Sequence, residues 1–265
     1  MNSPSSRPAF SAGVFFLLPV LLLCGVLGWA VYRPQEMPAT LPQEANPKGE
    51  VPGYAYRDPS PDGIGKIFHG REIAKVMGHP AIGWLERDER EREEAPGRAI
   101  DALALPHNAT IADIGAGSGY YSFRIAPKVP EGRVIAIDIQ PEMVDFLKSR
   151  AAELGIANVI PHLGGVEDLM LPAQSLDAAL LVDAYHEFSH PAEMLGSLFK
   201  SIRPGGKIYL LEFRAEDPRV PIKPLHKMTE EQARLEFESA GFRFVSNRRQ
   251  LPWQHFMVFE KPAND

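Results

Sequence analysis

Ala112-Asp113-Ile114-Gly115-Ala116-Gly117-Ser118-Gly119-Tyr120 is the stretch on which the reading of this 265-residue chain turns. A short β-type run, Thr110 to Ile114, enters a turn with glycines at 115, 117 and 119, and a helix is expected to follow. In an open α/β sheet the ligand lies beyond the carboxyl ends of the strands, and the first such turn floors its site. Glycines there let the backbone approach a ligand closely, and Asp113 just ahead of them is placed to accept from a cationic amine. A dinucleotide fold would put its third glycine at position 120, where this chain has Tyr120. That disfavours close pyrophosphate packing, and with it a nicotinamide-dependent oxidoreductase. Asp138 ends the next strand, where a carboxylate can accept from both hydroxyls of a ribose.

Outward from this turn, β-branched runs alternate with stretches of helical period, the pattern of a parallel sheet covered by helices. Strands are expected at Thr110 to Ile114, Arg133 to Ile137, Val159 to His162, Ala178 to Val182 and Lys207 to Phe213. Pro141 opens a helix with Met143, Phe146, Leu147, Ala151 and Leu154 on one side, and Pro191 opens another with Met194, Leu195, Leu198, Phe199 and Ile202. Thr229 and Gln232 form a capping box for a third, which stops at Gly241. Two closing strands, Phe242 to Arg248 and His255 to Glu260, flank Leu251-Pro252-Trp253, a connection too short for a helical crossover. The expected fold is α/β: a doubly wound, seven-stranded sheet of five parallel strands plus a C-terminal antiparallel hairpin, with helices on both faces.

The amino-terminal third differs in kind. Val14 to Tyr32 (VFFLLPVLLLCGVLGWAVY) is almost unbroken apolar sequence, about long enough to span a hydrocarbon core. Two readings are open: an uncleaved membrane anchor, or a signal segment cut after Ala30. Either places the protein at or beyond a membrane, and the flanking charges, Arg7 against Arg33 and Lys48, do not fix an orientation. Residues 34–66 are proline-rich and read as a linker. Residues 67–104 read as a helical cap whose charged run ERDEREREE, ending at Glu94, is a solvated face.

Composition narrows the function. Lys plus Arg total 28 against 34 Asp plus Glu, and no acidic residue precedes Glu36, so the anionic excess belongs to the folded part. A nucleic-acid partner is disfavoured. The lone Cys24 excludes a disulfide framework or a cysteine zinc site.

The region from about Gly70 to Pro262 resembles the class I S-adenosylmethionine-dependent methyltransferases, including type 11 and quinone C-methylating enzymes. The matching pieces are DIGAGSG, the acidic end of VIAIDIQPEM, GGVEDLMLPAQSLDAALL, VDAYHEF and the turn RPGGKIYLLEF. The resemblance implies a Rossmann-like fold and S-adenosyl-L-methionine as cofactor. Gly115, Ala116 and Gly117 would then line its methionine part with Gly119 completing the turn, Asp138 would hold the ribose, and Ile139 and Met143 would border the adenine. Many relatives have Gly-Asp where this chain has Gly164-Gly165, so adenine recognition would rest on the Val166 amide and on Glu167.

Val182-Asp183-Ala184-Tyr185-His186-Glu187-Phe188 ends the fourth strand beside that cofactor. His186 is the candidate general base, its pKa range suiting proton transfer near neutrality, with Glu187 or Asp183 to orient it and Tyr185 as a catalytic group or pocket wall. The spacing His186-Glu187-His190 is not one that zinc sites use, and no metal is expected. Lys223, His226 and Lys227, on the loop from Arg219 to Met228, are candidates to meet a polar or anionic acceptor or are simply a solvated basic loop. The function that follows is methyl transfer to a small or lipophilic acceptor; the alternative is a non-catalytic module that binds the cofactor or another nucleoside.

Overall fold

The computed structural model describes residues 53–263. The apolar stretch from Val14 to Tyr32 and the first part of the proline-rich segment lie outside the described residues. Among the described residues no helix is long and apolar enough to cross a membrane.

In chain order the elements begin with β1 (Tyr54–Tyr56), β2 (Gly63–Phe68) and β3 (Arg71–Ala74), then the short helices α1 (Ile82–Leu85), α2 (Arg90–Glu93) and α3 (Pro96–Asp101). The α/β body follows as β4 (Thr110–Ile114), α4 (Ser122–Ile125), β5 (Arg133–Asp138), α5 (Pro141–Leu154), β6 (Val159–Leu163), β7 (Leu176–Val182), α6 (Pro191–Ser201), β8 (Ile202–Leu211), α7 (Glu230–Ser239), β9 (Arg243–Asn247) and β10 (Met257–Glu260). The large sheet has the order β6-β5-β4-β7-β8-β10-β9. Its first five strands are parallel, and β10 runs antiparallel between β8 and β9. The expected closing hairpin therefore forms, with its second strand innermost.

Each central strand feeds two cores because successive side chains face opposite ways. Ile111, Val134, Ala178, Leu180 and Tyr209 join α3, α4 and α5 on one face. Ala112, Ile137, Ala179, Leu181 and Ile208 join α6 and α7 on the other. On the second face Phe237 stacks on Phe259 with ring centroids 4.5 Å apart. In α5 the buried side chains are Met143, Val144 and Leu147, whereas Leu154, expected on the core face, is more than half exposed at the helix end. The α7 cap forms as expected, Thr229 Oγ1 accepting from the Gln232 amide at 3.0 Å.

Three expectations need correction. The linker does not run to residue 66, because β1, β2 and β3 form a separate antiparallel sheet from Tyr54 onward. Buried Glu72 organises the proline-containing connection: its carboxylate accepts from the Ser60 and Gly65 amides at 2.9 and 3.0 Å and pairs with Arg57 at 2.5 Å. Burial alone would raise the Glu72 pKa, but these donors outweigh it and hold the carboxyl at about 2. The segment 67–104 is likewise not a helical cap alone, since it contributes the end of β2 and all of β3. Third, Arg203-Pro204-Gly205-Gly206, expected as a turn, lies within β8, where the register with β7 shifts between Leu176 and Ala178. The positive φ of Gly205 and the close approach of the Asp177 carbonyl at Gly206 take up that irregularity.

Candidate active site

The strand order reverses between β4 and β7, and a cavity of about 720 Å³ opens above the carboxyl ends of β4, β5 and β7. Such a switch point is where open α/β sheets place their ligands. The floor is the glycine turn. Gly115 and Gly117 line the cavity, both at positive φ, and a Cβ on Gly115 would stand 2.6 Å from that of Ala184. The Gly115 and Ala116 amides donate to the Ile137 carbonyl at 2.9 Å, which ties the turn to the end of β5.

Asp138 lines the cavity, with Oδ2 accepting from the Gly117 amide and Oδ1 from the Gln140 amide, both at 2.9 Å. Burial raises its pKa against the pull of these amides. Ile139, Met143 and Val166 form an apolar wall beside it. Asp183, at positive φ, also lines the cavity; its Oδ2 accepts from Gln254 at 2.6 Å, while buried Oδ1 has no hydrogen-bond partner. Desolvation, then the neighbouring Glu94 and Glu212 carboxylates, push its pKa well up.

His186 lines the far side and is almost fully buried. Its Nδ1 lies 2.7 Å from Glu212 Oε2, so Glu212 orients the ring, a role expected of Glu187 or Asp183. Burial alone would lower the His186 pKa; the Glu212 carboxylate more than offsets this and raises it. Arg71 fixes the backbone, donating to the His186 carbonyl at 3.1 Å, and is itself paired with buried Glu236 at 2.8 Å. His226 Nδ1 is 3.2 Å from His186 Nε2, and Glu187 Oε1 is 3.8 Å from His186 Nε2 and 3.6 Å from His226 Nδ1.

Several expected residues lie elsewhere. Tyr185 is fully buried beneath the site, its hydroxyl donating to Glu236 at 2.7 Å and its ring against Phe188 and Phe237, and it does not line the cavity. It begins a 3-10 turn, and one residue's rotation separates it from His186. Asp113 is turned inward, accepting from Ser122 Oγ at 2.6 Å, and closes the turn onto α4 instead of meeting an amine. Ala116 and Gly119 do not reach the cavity. A Cβ on Gly119 would strike Phe123 and Leu147, so this glycine serves helix packing. Glu167 stands outside beside His190, and Lys227 reaches for the Val220 carbonyl. Lys223 does line the cavity, already paired with Asp62 at 2.6 Å.

Sequence reasoning missed part of the lining. Val76, Met77, Trp84 and Leu85 line the cavity, and Leu85 Cδ1 lies 2.7 Å from where a Cβ on Gly117 would be. The charged run is a solvated face only in part: Asp88, Glu89, Glu91 and Arg92 are exposed, but Arg90, Glu93 and Glu94 are buried, and Arg87, Arg90 and Glu94 line the cavity. Arg90 pairs with Glu94 at 2.7 Å and lies 4.1 Å over the Tyr120 ring.

Sheet order, glycine turn and acidic strand end define an α/β protein with the fold of the methyltransferases. The chain belongs to the methyltransferase domain family, which matches residues 106–255. An uncharacterised methyltransferase of Mycobacterium bovis is 32% identical over 141 residues, 53% of each chain. A demethylmenaquinone methyltransferase of Deinococcus radiodurans is 26% identical over 117 residues, 44% of this chain and 48% of that one. The crystal structure of a SAM dependent methyltransferase from Aquifex aeolicus shares the fold, with a TM-score of 0.66 at 23% identity over 70% of this chain and 100% of that chain. The chain spans about half the length of the first of these curated relatives.

Proposed function

We propose that this protein is an S-adenosylmethionine-dependent methyltransferase acting on a small, largely apolar acceptor. The observation that carries this reading is the meeting, in one cavity, of the glycine turn and Asp138 with a histidine held by a buried carboxylate. The residues present fit the cofactor. Ile139, Met143 and Val166 offer apolar walls to a flat base, Asp138 offers acceptors to a ribose, and the unpartnered Asp183 Oδ1 offers one to a cationic group. Arg87 and Arg90 also line the cavity, where they pair with Glu93 and Glu94. When bound, the cofactor supplies a methyl group on a sulfonium, open to direct displacement.

The protein's part is to align the acceptor and keep water out. Alignment alone can lower such a barrier by roughly 7–11 kcal/mol in ideal systems. Where the acceptor carries a proton, His186 Nε2 receives it while Glu212 holds Nδ1. Phe188, Phe213, Pro221 and Ile222 make the lining near His186 apolar, and the demethylmenaquinone methyltransferase among the relatives supports a lipophilic acceptor. His186→Ala is expected to leave cofactor affinity within about twofold and to slow methyl transfer to demethylated quinols by roughly 10²–10⁴. A normal rate would remove His186 from the reaction.

The apolar stretch from Val14 to Tyr32 supports a further part of the proposal, a membrane anchor that keeps the domain beside a lipophilic acceptor. The full chain is then expected to sediment with membranes and to resist carbonate extraction. Recovery of the uncleaved chain in the soluble fraction would overturn the anchor.

A further inference from the structure

His186 Nε2, Glu187 Oε1 and His226 Nδ1 converge from two separate 3-10 turns, Tyr185–Glu187 and Pro224–His226, onto one point of the cavity wall. Their separations are 3.2, 3.6 and 3.8 Å. A point equidistant from three atoms so spaced lies about 2.1 Å from each, the length of a zinc–imidazole or zinc–carboxylate bond. We propose that these three side chains hold a divalent transition-metal ion, with remaining coordination positions open to the cavity.

The surroundings are those of a metal site. Glu212 binds His186 Nδ1 at 2.7 Å, the carboxylate–histidine arrangement that fixes a ligating ring and directs its other nitrogen to a metal. Glu187 is held from behind, its Oε2 accepting from the Met77 amide at 3.1 Å, which leaves Oε1 for the cluster. Two imidazoles and one carboxylate suit zinc, iron(II), cobalt(II) or manganese(II) better than magnesium or calcium, which prefer all-oxygen shells. Three protein ligands are the number that catalytic zinc sites use, a further position being kept for water or substrate. An ion there changes what His186 does, since its Nε2 lone pair goes to the metal and not to an acceptor's proton. The inference stands on these side chains and not on the cofactor assignment.

The test is titration of the chelator-treated, untagged full chain, in mild detergent, with Co²⁺. The expected result is one equivalent bound with visible d–d absorption, displaced by Zn²⁺ and not by Mg²⁺. His226→Ala and Glu187→Gln are each expected to weaken binding at least about tenfold, and Glu212→Gln, acting through His186, by roughly 10–100-fold. His190→Ala, which alters a histidine beside Glu167, is expected to titrate as the unaltered protein does. Circular dichroism and S-adenosylmethionine calorimetry on the same samples report the fold and the cofactor site separately. The isosteric Glu187→Gln decides if His226→Ala fails to fold. Absence of a one-to-one Co²⁺ band in the unaltered protein, or unchanged binding by folded Glu187→Gln and His226→Ala, would overturn the site whatever the cofactor result. Loss of binding in His190→Ala would overturn this ligand set.

Discussion

At the scale of single residues, three carboxylates near the sheet edge do three different jobs because their surroundings differ. Asp138 faces the cavity and braces the glycine turn, Asp183 keeps one buried oxygen unpartnered, and Asp113 is closed off beneath the turn. Burial dominates at Asp113 and pushes its pKa up to about 6, against the opposing hydrogen bonds from Ser122. The native state therefore keeps this proton to about pH 6, whereas the unfolded chain releases it near pH 4. The stability contributed by protonated Asp113 is full below about pH 4 and is lost as pH rises to about 6, a change of roughly 3 kcal/mol. Asp113→Asn, uncharged and still able to accept from Ser122, is expected to flatten the pH dependence of urea-unfolding stability over that window. An unchanged slope would show that Asp113 ionises freely in the native state.

Among the elements, α7 shows a local signal that tertiary structure respects. Thr229→Ala removes the acceptor for the Gln232 amide and is expected to cost about 1 kcal/mol in urea unfolding, with cofactor affinity unchanged. No loss of stability would mean that the cap is replaced by solvent. The same legibility holds for most of β4 to β10, where β-branched runs and Pro at helix starts act within a few residues of themselves, the exception being Arg203 to Gly206, a turn by composition that is drawn into β8. It fails for 53–104. There the sheet of β1 to β3 depends on Glu72 reaching back to Ser60 and Gly65, and the buried charges of α2 depend on one another, on Arg87 and on Tyr120. Periodicity reads a charged run as solvent-facing, and only the partners' positions reveal that Arg90 and Glu94 are neutralised inside. The site divides in the same way. The position of Gly115, Gly117, Asp138 and His186 at the cavity was legible because their motifs fix their place at or just after a strand end. Glu212 and His226 were not recognised as partners of His186, since they stand 26 and 40 residues away along the chain and meet it only in space.

For the whole molecule, the two faces of the sheet are filled by core, so the carboxyl ends of the strands are where a ligand of cofactor size finds room. Residues from Lys75 to Leu85 line the cavity, with Leu85 against Gly117, and the loop after β8 adds Ile222, Lys223 and His226 to the lining. On the proposed function, a nucleoside lies over Asp138 and an acceptor against His186, two residues that line the same cavity. Calorimetry of the full chain with S-adenosylmethionine, its demethylated product and NAD tests that claim most directly. One site is expected for the first two ligands and none for NAD, with Asp138→Ala weakening S-adenosylmethionine binding by about 1–3 kcal/mol, the usual loss for a charged acceptor. Absence of heat with either methyl-cycle ligand, binding of NAD in their place, or an Asp138→Ala protein that folds and binds as the unaltered one does would contradict it.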